Sequence, residues 1–136
     1  MDDNYYDLWG KKAIPGDAIY ASLNQYAAQC RGANDKWWHD LKTGEKLERN
    51  KGELLALIHS EISEVLEGVR KDMQDEKLPH RKAEEVEMVD ALIRIFDYAG
   101  EYKLDLDGAY KEKMEYNAKR ADHKPENRVK EGGKKF

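Results

Sequence analysis

The amino-acid sequence predicts an all-α fold, and two observations favour it. β-branched residues are scarce, with five Val, six Ile and one Thr among 136 residues, whereas β-sheets draw heavily on such residues. Leu, Ala, Glu, Lys and Met, which favour helices, are plentiful instead. The prolines, at positions 15, 79 and 125, all fall between helical patterns, where a residue without a backbone N–H is tolerated.

Apolar periodicity predicts four helices, over residues 16–31, 51–71, 80–102 and from Asp105 or Asp107 to Arg120. In the first, Asp17 lies near the start and Gly32 is predicted to end the helix. Asn50 precedes the second, and Glu53 three residues later completes a capping-box-like pattern with it. The third helix is apolar on nearly every side, which predicts a central place in the bundle.

The chain is predicted to form one domain with two flanking segments. An N-terminal arm over residues 1–14 carries aromatic and apolar residues, which in an arm usually dock on the protein body or on a partner subunit. The helical domain covers residues 15–121. A basic tail over residues 122–136 contains a proline and two glycines and is predicted to be exposed.

Composition excludes several classes of protein. Charged residues make up 38% of the chain, but 24 Lys and Arg face 28 Asp and Glu for a net charge of −4, which argues against a nucleic-acid-binding module. A single cysteine, Cys30, excludes an intrachain disulfide and a Cys-rich zinc site. The apolar runs are far shorter than the ~18 residues of a membrane span, and the acidic N-terminus lacks the apolar core of a signal peptide. We therefore expect a soluble, cytoplasmic protein that binds neither nucleic acid nor membrane.

Two pairs of acidic residues are candidate metal ligands. On the second helix, Glu61 and Glu64 lie at the margin of the apolar arc, where an unpaired carboxylate is costly. On the third, Glu87 and Asp90 lie on one narrow polar stripe of an otherwise apolar helix. If the two helices face each other, the four carboxylates converge. The alternative is that they are solvated helix charges, because acid pairs three residues apart are frequent in so acidic a chain.

A site made of carboxylates alone favours Mg²⁺, with Mn²⁺ as a substitute, because hard ions prefer oxygen ligands. Helical bundles that hold two irons use Glu-x-x-His motifs, and no histidine lies in register with the four acids. Ions of this kind are typically held for phosphate substrates.

A basic row on the fourth helix is a candidate phosphate-binding surface. Lys113, Asn117 and Arg120 follow one another at i, i+4 and i+7 and share a face, and all three side chains donate hydrogen bonds that suit phosphate oxygens. The alternative is a solvated face on which Glu112 and Glu115 pair with the cations.

These elements resemble the signature of a known family. Residues 61–64, Glu-Ile-Ser-Glu, followed after 22 residues by residues 87–90, Glu-Met-Val-Asp, are similar to the E-x-x-E…E-x-x-D motif of the MazG-like, all-α nucleoside triphosphate pyrophosphohydrolases. Residues 113–120 resemble the K-x-x-Y-N-x-x-R element of the same family. The resemblance covers about residues 50–121, and Ser60 stands where many members have a further acid.

The resemblance implies a bundle of four to five helices completed by oligomerisation, as a homodimer or homotetramer. It implies magnesium held by the four acids, of which Glu61 and Glu64 are also catalytic. Water would attack the α-phosphorus of a (d)NTP and release (d)NMP and pyrophosphate, with the basic row holding β- and γ-phosphate oxygens. Some phage members act on deoxyguanosine nucleotides, so dGTP is one expected substrate, and a phage-encoded member would work in the host cytoplasm.

Other residues are candidates for base recognition. Asn24 and Gln25 on the first helix carry amides that can read a base edge, or they are ordinary exposed polar residues. Trp38, with Trp37 beside it, either stacks on a base or covers the end of the bundle. A second class of function also stays open, namely a non-enzymatic helical interaction module whose acidic faces are solvated.

Overall fold

The computed structural model describes residues 22–120 and 124–135, and the regular elements in these ranges are all helices, which confirms the all-α prediction. They are α1 (Leu23–Ala33), a 3₁₀ helix (Asp35–Trp38), α2 (Lys51–Arg70), α3 (Ala83–Glu101), α4 (Leu106–Lys119) and the single turn α5 (Pro125–Arg128). The predicted arm and the start of the predicted first helix lie outside the described residues. No helix within the described ranges is long and apolar enough to cross a membrane.

Helix α1 begins with a capping box. The Ser22 hydroxyl accepts a hydrogen bond from the backbone N–H of Gln25, and the Gln25 side chain accepts one from the backbone N–H of Ser22, so two donors that a helix start leaves unpaired are satisfied. The helix then runs through Gly32 to Ala33, two residues beyond the predicted end at residue 31, so the prediction that Gly32 ends it is wrong. Gly32 has no positive φ, because the chain turns into the adjoining 3₁₀ helix without a left-handed residue.

Helix α2 begins at the predicted residue and ends one residue earlier than predicted, whereas α3 starts later than predicted. Asn50 caps α2 by accepting a hydrogen bond from the Glu53 backbone N–H at 3.1 Å. The residues predicted to open the third helix, 80–82, instead run beside residues 73–75, with the N–H of Asp75 donating to the Arg81 carbonyl and the N–H of Ala83 to the Met73 carbonyl. Their backbone groups are used across this connection, so α3 begins only at Ala83.

Helices α1 and α4 cap each other at their N-termini. Asp105 caps α4 itself, and Asp107 accepts a hydrogen bond from the backbone N–H of Leu23 at 2.8 Å. The Asn24 side chain accepts one from the backbone N–H of Leu106 at 2.9 Å and donates one to Asp105 at 2.9 Å. The sequence predicts either Asp105 or Asp107 as the cap of the fourth helix. In the structure, Asp105 caps α4 and Asp107 caps α1.

Helix α3 packs against both α1 and α2, as its apolar circumference predicts, and small residues set the spacing. A Cβ on Gly68 would lie 3.0 Å from the Ala83 side chain, and a Cβ on Gly100 would lie 2.6 Å from the Ala27 carbonyl oxygen. The fully buried residues of α3 are accordingly alanines. The backbones of the three helices therefore approach closely at these points.

The large apolar side chains of α2 and α3 are less covered than the sequence predicts. Nine of them remain more than a third exposed in the single chain: Leu57, and the eight residues Leu55, Ile62, Leu66, Val69, Met88, Val89, Leu92 and Ile95. We call the last eight the open apolar face. So much exposed aliphatic surface on two neighbouring helices is unusual for a chain that works alone.

Candidate metal centre between helices α2 and α3

Three carboxylates from two helices meet between α2 and α3. Glu61 of α2 and Glu87 and Asp90 of α3 each offer an oxygen, and these oxygens all lie within 4.8 Å of one another. Glu61 occupies the side of α2 that packs on α3, in line with the buried Leu54 and Val65. The spacing of three residues on α3 places Glu87 and Asp90 on the same side of that helix.

The fourth predicted ligand, Glu64, lies at the edge of this group. Its side chain is exposed, and it lines a cavity of about 510 Å³ together with Glu87 and Asp90. The structure thus brings three of the four acids into one cluster and places Glu64 on the rim beside them.

Burial and mutual repulsion both disfavour the ionised forms of the carboxylates in this cluster. Burial raises the pKa of Glu87, and repulsion from Asp90, Glu61 and Glu64 raises it further. Burial and then the charge of Glu61 likewise raise the pKa of Asp90, while the neighbouring guanidinium of Arg94 opposes the rise. Carboxylates whose ionised forms are disfavoured in this way are stabilised by a cation placed among them.

One cation is already part of the cluster. The Nε of Arg94 donates a hydrogen bond to Oε1 of Glu61 at 2.7 Å. Arg94 lies four residues after Asp90 and continues the polar stripe of α3, but this position alone predicts no function for it. The spacing was visible in the sequence, whereas the partner on α2, 33 residues away, was not.

A second, larger cavity also has two of the acids in its wall. It has a volume of about 660 Å³, and its wall includes Glu61 and Asp90 as well as Trp37, Arg49 and Asp97. Trp37 comes from the 3₁₀ helix and is half-exposed. The carboxylates therefore line two cavities, one of which has an accessible aromatic ring in its wall.

Trp38, predicted as a substrate-binding residue, is buried in this structure. Its side chain is 1% exposed, its indole N–H donates to the Asp97 carboxylate at 3.0 Å, and the guanidiniums of Arg31 and Arg49 each lie 5.1 Å from its ring centroid. No open ring face is left for a base. Trp38 closes the end of the bundle, which was the alternative left open for the tryptophan pair, and Trp37 is the one that faces a cavity.

Asn24 and Gln25 are also used within the chain. The amide of Asn24 bonds to α4, and the amide of Gln25 completes the capping box of α1. Their prediction as base-reading residues does not fit these contacts, because the side-chain oxygens that would face a base already accept backbone hydrogen bonds.

The basic row of α4 lies on a helix that packs against α1. Lys113 and Arg120 lie 5.1 and 5.7 Å from the ring centroid of Tyr116, and Oδ1 of Asn117 is buried without a hydrogen-bond partner among the described residues. Neither of the two cavities beside the acids has a described residue of α4 in its wall. The structure thus keeps the row together but does not bring it to the acid cluster within one chain.

The donor set of the cluster consists of carboxylate oxygens. No histidine or cysteine of the described ranges joins the group, so the residues present suit a hard divalent ion such as Mg²⁺ or Mn²⁺ better than zinc or iron.

In comparisons with known proteins, no family model, no curated protein and no solved structure matches this chain.

Proposed function

We propose that the chain is a Mg²⁺-dependent pyrophosphohydrolase that cleaves a (d)NTP, such as dGTP, to (d)NMP and pyrophosphate. The observation that carries the proposal is the convergence of Glu61, Glu87 and Asp90 from two helices, with Glu64 on the rim. Half-buried carboxylates with raised pKa values beside open cavities are typical of functional sites. The resemblance of the two acidic motifs to those of the MazG-like family supplies the reaction.

The donor chemistry supports the cofactor. Three carboxylate oxygens within 4.8 Å of one another are suited to Mg²⁺, and Mn²⁺ can take its place. Bound there, the ion supplies positive charge that neutralises phosphate oxygens. In this proposal Glu61, Glu87 and Asp90 hold the ion, and Glu64 completes the set from the rim.

The protein groups proposed for the chemistry are Glu61 and Glu64. Glu64 is the exposed member of the four acids, so its carboxylate has room to orient a water molecule and accept its proton as the water attacks the α-phosphorus. Contact of Lys113, Asn117 and Arg120 with the β- and γ-phosphates stays a prediction from the motif.

A homo-oligomer, a dimer or a tetramer, is proposed as the working form. The open apolar face spans α2 and α3, the two helices that carry the acids. Covering it with a second copy would remove aliphatic surface from water.

The open apolar face also favours a second candidate function, a non-enzymatic interaction module that binds a different protein on this surface. Thermal unfolding separates the two. A ligand that binds only the folded state raises the melting temperature, so the enzyme should melt higher with Mg²⁺ and a nonhydrolysable nucleotide than with EDTA. A module with solvated acids should melt at the same temperature in both.

The direct test of the proposed function is pyrophosphate release from the eight common ribo- and deoxynucleoside triphosphates, with Mg²⁺ and with EDTA. Hydrolysis in ¹⁸O-labelled water should place the label in the nucleoside monophosphate, because attack is proposed at the α-phosphorus.

Glu87→Gln should lose the activity, whereas Glu85→Gln should keep it. Glu85 lies on the same helix, is exposed and pairs with Arg81, so it controls for the loss of one charge. Wild-type protein that releases no pyrophosphate from any of the eight would overturn the proposal.

A further inference from the structure

The ion pair between Arg94 and Glu61 places a protein cation on a carboxylate that the proposed metal centre needs as a ligand. The Nε–H of Arg94 points at Oε1 of Glu61, and Glu61 is one of the three carboxylates whose oxygens converge. A donor hydrogen on that oxygen competes with any ion for the same lone pairs. The positive charge of Arg94 also repels a second cation placed beside Asp90, four residues away on α3.

The guanidinium is free to leave this position without losing a polar environment. The Arg94 side chain is 40% exposed, whereas the Glu61 side chain is 15% exposed. Arg94 also lines the 660 Å³ cavity, which has Arg49 and the carboxylate of Asp97 in its wall.

Asp97 provides a second place for the guanidinium. It lies three residues after Arg94 on the same polar stripe. Burial raises the pKa of its carboxyl group, while the hydrogen bond from Trp38 and the charges of Arg31 and Arg49 oppose the rise. Its hydrogen bond among the described residues is the one accepted from the Trp38 indole. Arg94 and Asp97 line the same cavity, so a guanidinium that leaves Glu61 on α2 stays near a second carboxylate on α3.

We propose that Arg94 is an exchangeable counter-ion of the acid cluster, which holds Glu61 while no divalent ion is bound and moves towards Asp97 when one binds. This role rests on the proposed metal centre and adds a residue that regulates how tightly the centre binds its ion. Binding of the ion has to break the pair with Glu61, so Arg94 lowers the affinity of the centre for cations. A centre of this kind fills at a higher metal concentration than three uncompensated carboxylates would.

Titration calorimetry with Mn²⁺ alone tests this role without reference to activity. Arg94→Gln should bind Mn²⁺ about tenfold more tightly than wild type, because a competing unit charge and a competing donor are removed. Arg94→Lys keeps the charge and should stay within about threefold of wild type. Arg81→Gln is the matched control, since it removes one charge from an exposed pair with Glu85 and should change the affinity by less than about twofold.

A second measurement uses the unaltered protein and therefore does not depend on how well the variants fold. In a ¹⁵N spectrum, the Nε–H resonance of Arg94 should shift on addition of Mg²⁺, because its acceptor changes. If Arg94 only holds the two helices together, two different results are expected. Its Nε–H resonance should not shift on addition of Mg²⁺, and Arg94→Gln should bind Mn²⁺ as weakly as wild type or more weakly.

Either of those two results, with wild-type protein that binds Mn²⁺, would overturn the role of Arg94 and leave the metal centre standing. Failure of both wild type and Arg94→Gln to bind Mn²⁺ would instead overturn the metal centre and the role together.

Discussion

At the scale of single residues, Glu101 shows how one partly buried charge links helix α3 to α1 and to the connecting loop. Its side chain is 12% exposed and accepts hydrogen bonds from Arg31 of α1 at 2.5 Å and from Lys46 of the connecting loop at 2.6 Å. The bond from Lys46, followed by that from Arg31, lowers the pKa of Glu101. A carboxyl group whose pKa is lowered by folding stabilises the folded state above its ordinary pKa, and this contribution is lost as the pH falls through the folded value.

Glu101→Gln should therefore destabilise the protein by about 2 kcal/mol at pH 7, because two cations lose a charged acceptor. The difference from wild type should begin to shrink below the ordinary glutamate pKa of about 4.3 and continue to shrink as the pH falls through the lowered pKa of the folded group. Urea unfolding of both proteins at several pH values measures this. Glu85→Gln is the control with an exposed pair and should cost well under about 1 kcal/mol at any pH. A Glu101→Gln deficit that stays constant down to pH 3 would contradict the charge-based explanation.

The residue scale is also where prediction from sequence reached its limit. The acids were predictable, because a carboxylate beside an apolar helix face stands out in the sequence. The partner of Arg94 was not, because it depends on how α2 and α3 are aligned. Trp37 and Trp38 are neighbours in the chain, yet one is half-exposed and the other buried. The 3₁₀ helix sets their directions, and its apolar pattern is too short to read.

At the scale of elements, Gly100 marks the closest approach between α3 and α1. A Cβ there would lie 2.6 Å from both the Ala27 carbonyl oxygen and the Arg31 Cβ, and backbone cannot move aside cheaply. Gly100→Ala should destabilise the protein by about 1–2 kcal/mol, since an overpacking cost of roughly 1–3 kcal/mol exceeds the gain of up to about 1 kcal/mol in helix propensity.

Gly32→Ala is the matched control with the opposite expected sign. Gly32 is also helical, and nothing lies within 4 Å of a Cβ built on it, so alanine should stabilise the protein by up to about 1 kcal/mol. Thermal unfolding of the two variants checks both signs. A stabilising Gly100→Ala would mean that α1 and α3 are not held as closely as described.

Element boundaries were predictable where the signal is local. Asn50 and Glu53 sit three residues apart, and α2 begins where they predict. The start of α3 depends on pairing between residues 73–75 and 80–82, which apolar periodicity does not report. The choice between Asp105 and Asp107 depends on α1, more than 80 residues away.

At the scale of the whole molecule, the open apolar face predicts self-association. Light scattering at micromolar concentration should give a mass of at least twice the 15.8 kDa of one chain. Leu92→Glu should shift the mass towards one chain, because Leu92 is 46% exposed and central to this face. Leu41→Glu, at an exposed loop position outside the face, should leave the mass unchanged. A wild-type mass of one chain would contradict the prediction.

The all-α architecture was predictable from composition, but which apolar residues are buried and which are exposed was not. The sequence predicts one continuous apolar surface around α3. In the structure, alanines and glycines occupy the close contacts, and the larger side chains lie outside them. Small residues allow the backbones to approach more closely, and a helical wheel that counts only apolar character does not distinguish small from large apolar residues.

The reciprocal caps of α1 and α4 have a consequence for folding. Each helix supplies the acceptor that the other lacks at its first turn, through Asp107 for Leu23 and Asn24 for Leu106. Neither first turn is complete until segments more than 80 residues apart have met, so the two turns should form and open as one cooperative unit. Their amide protons should exchange with solvent at a common rate, and Asn24→Ala should speed exchange at Leu23 as well as at Leu106. Faster exchange at Leu106 alone would show that the two helix starts open independently.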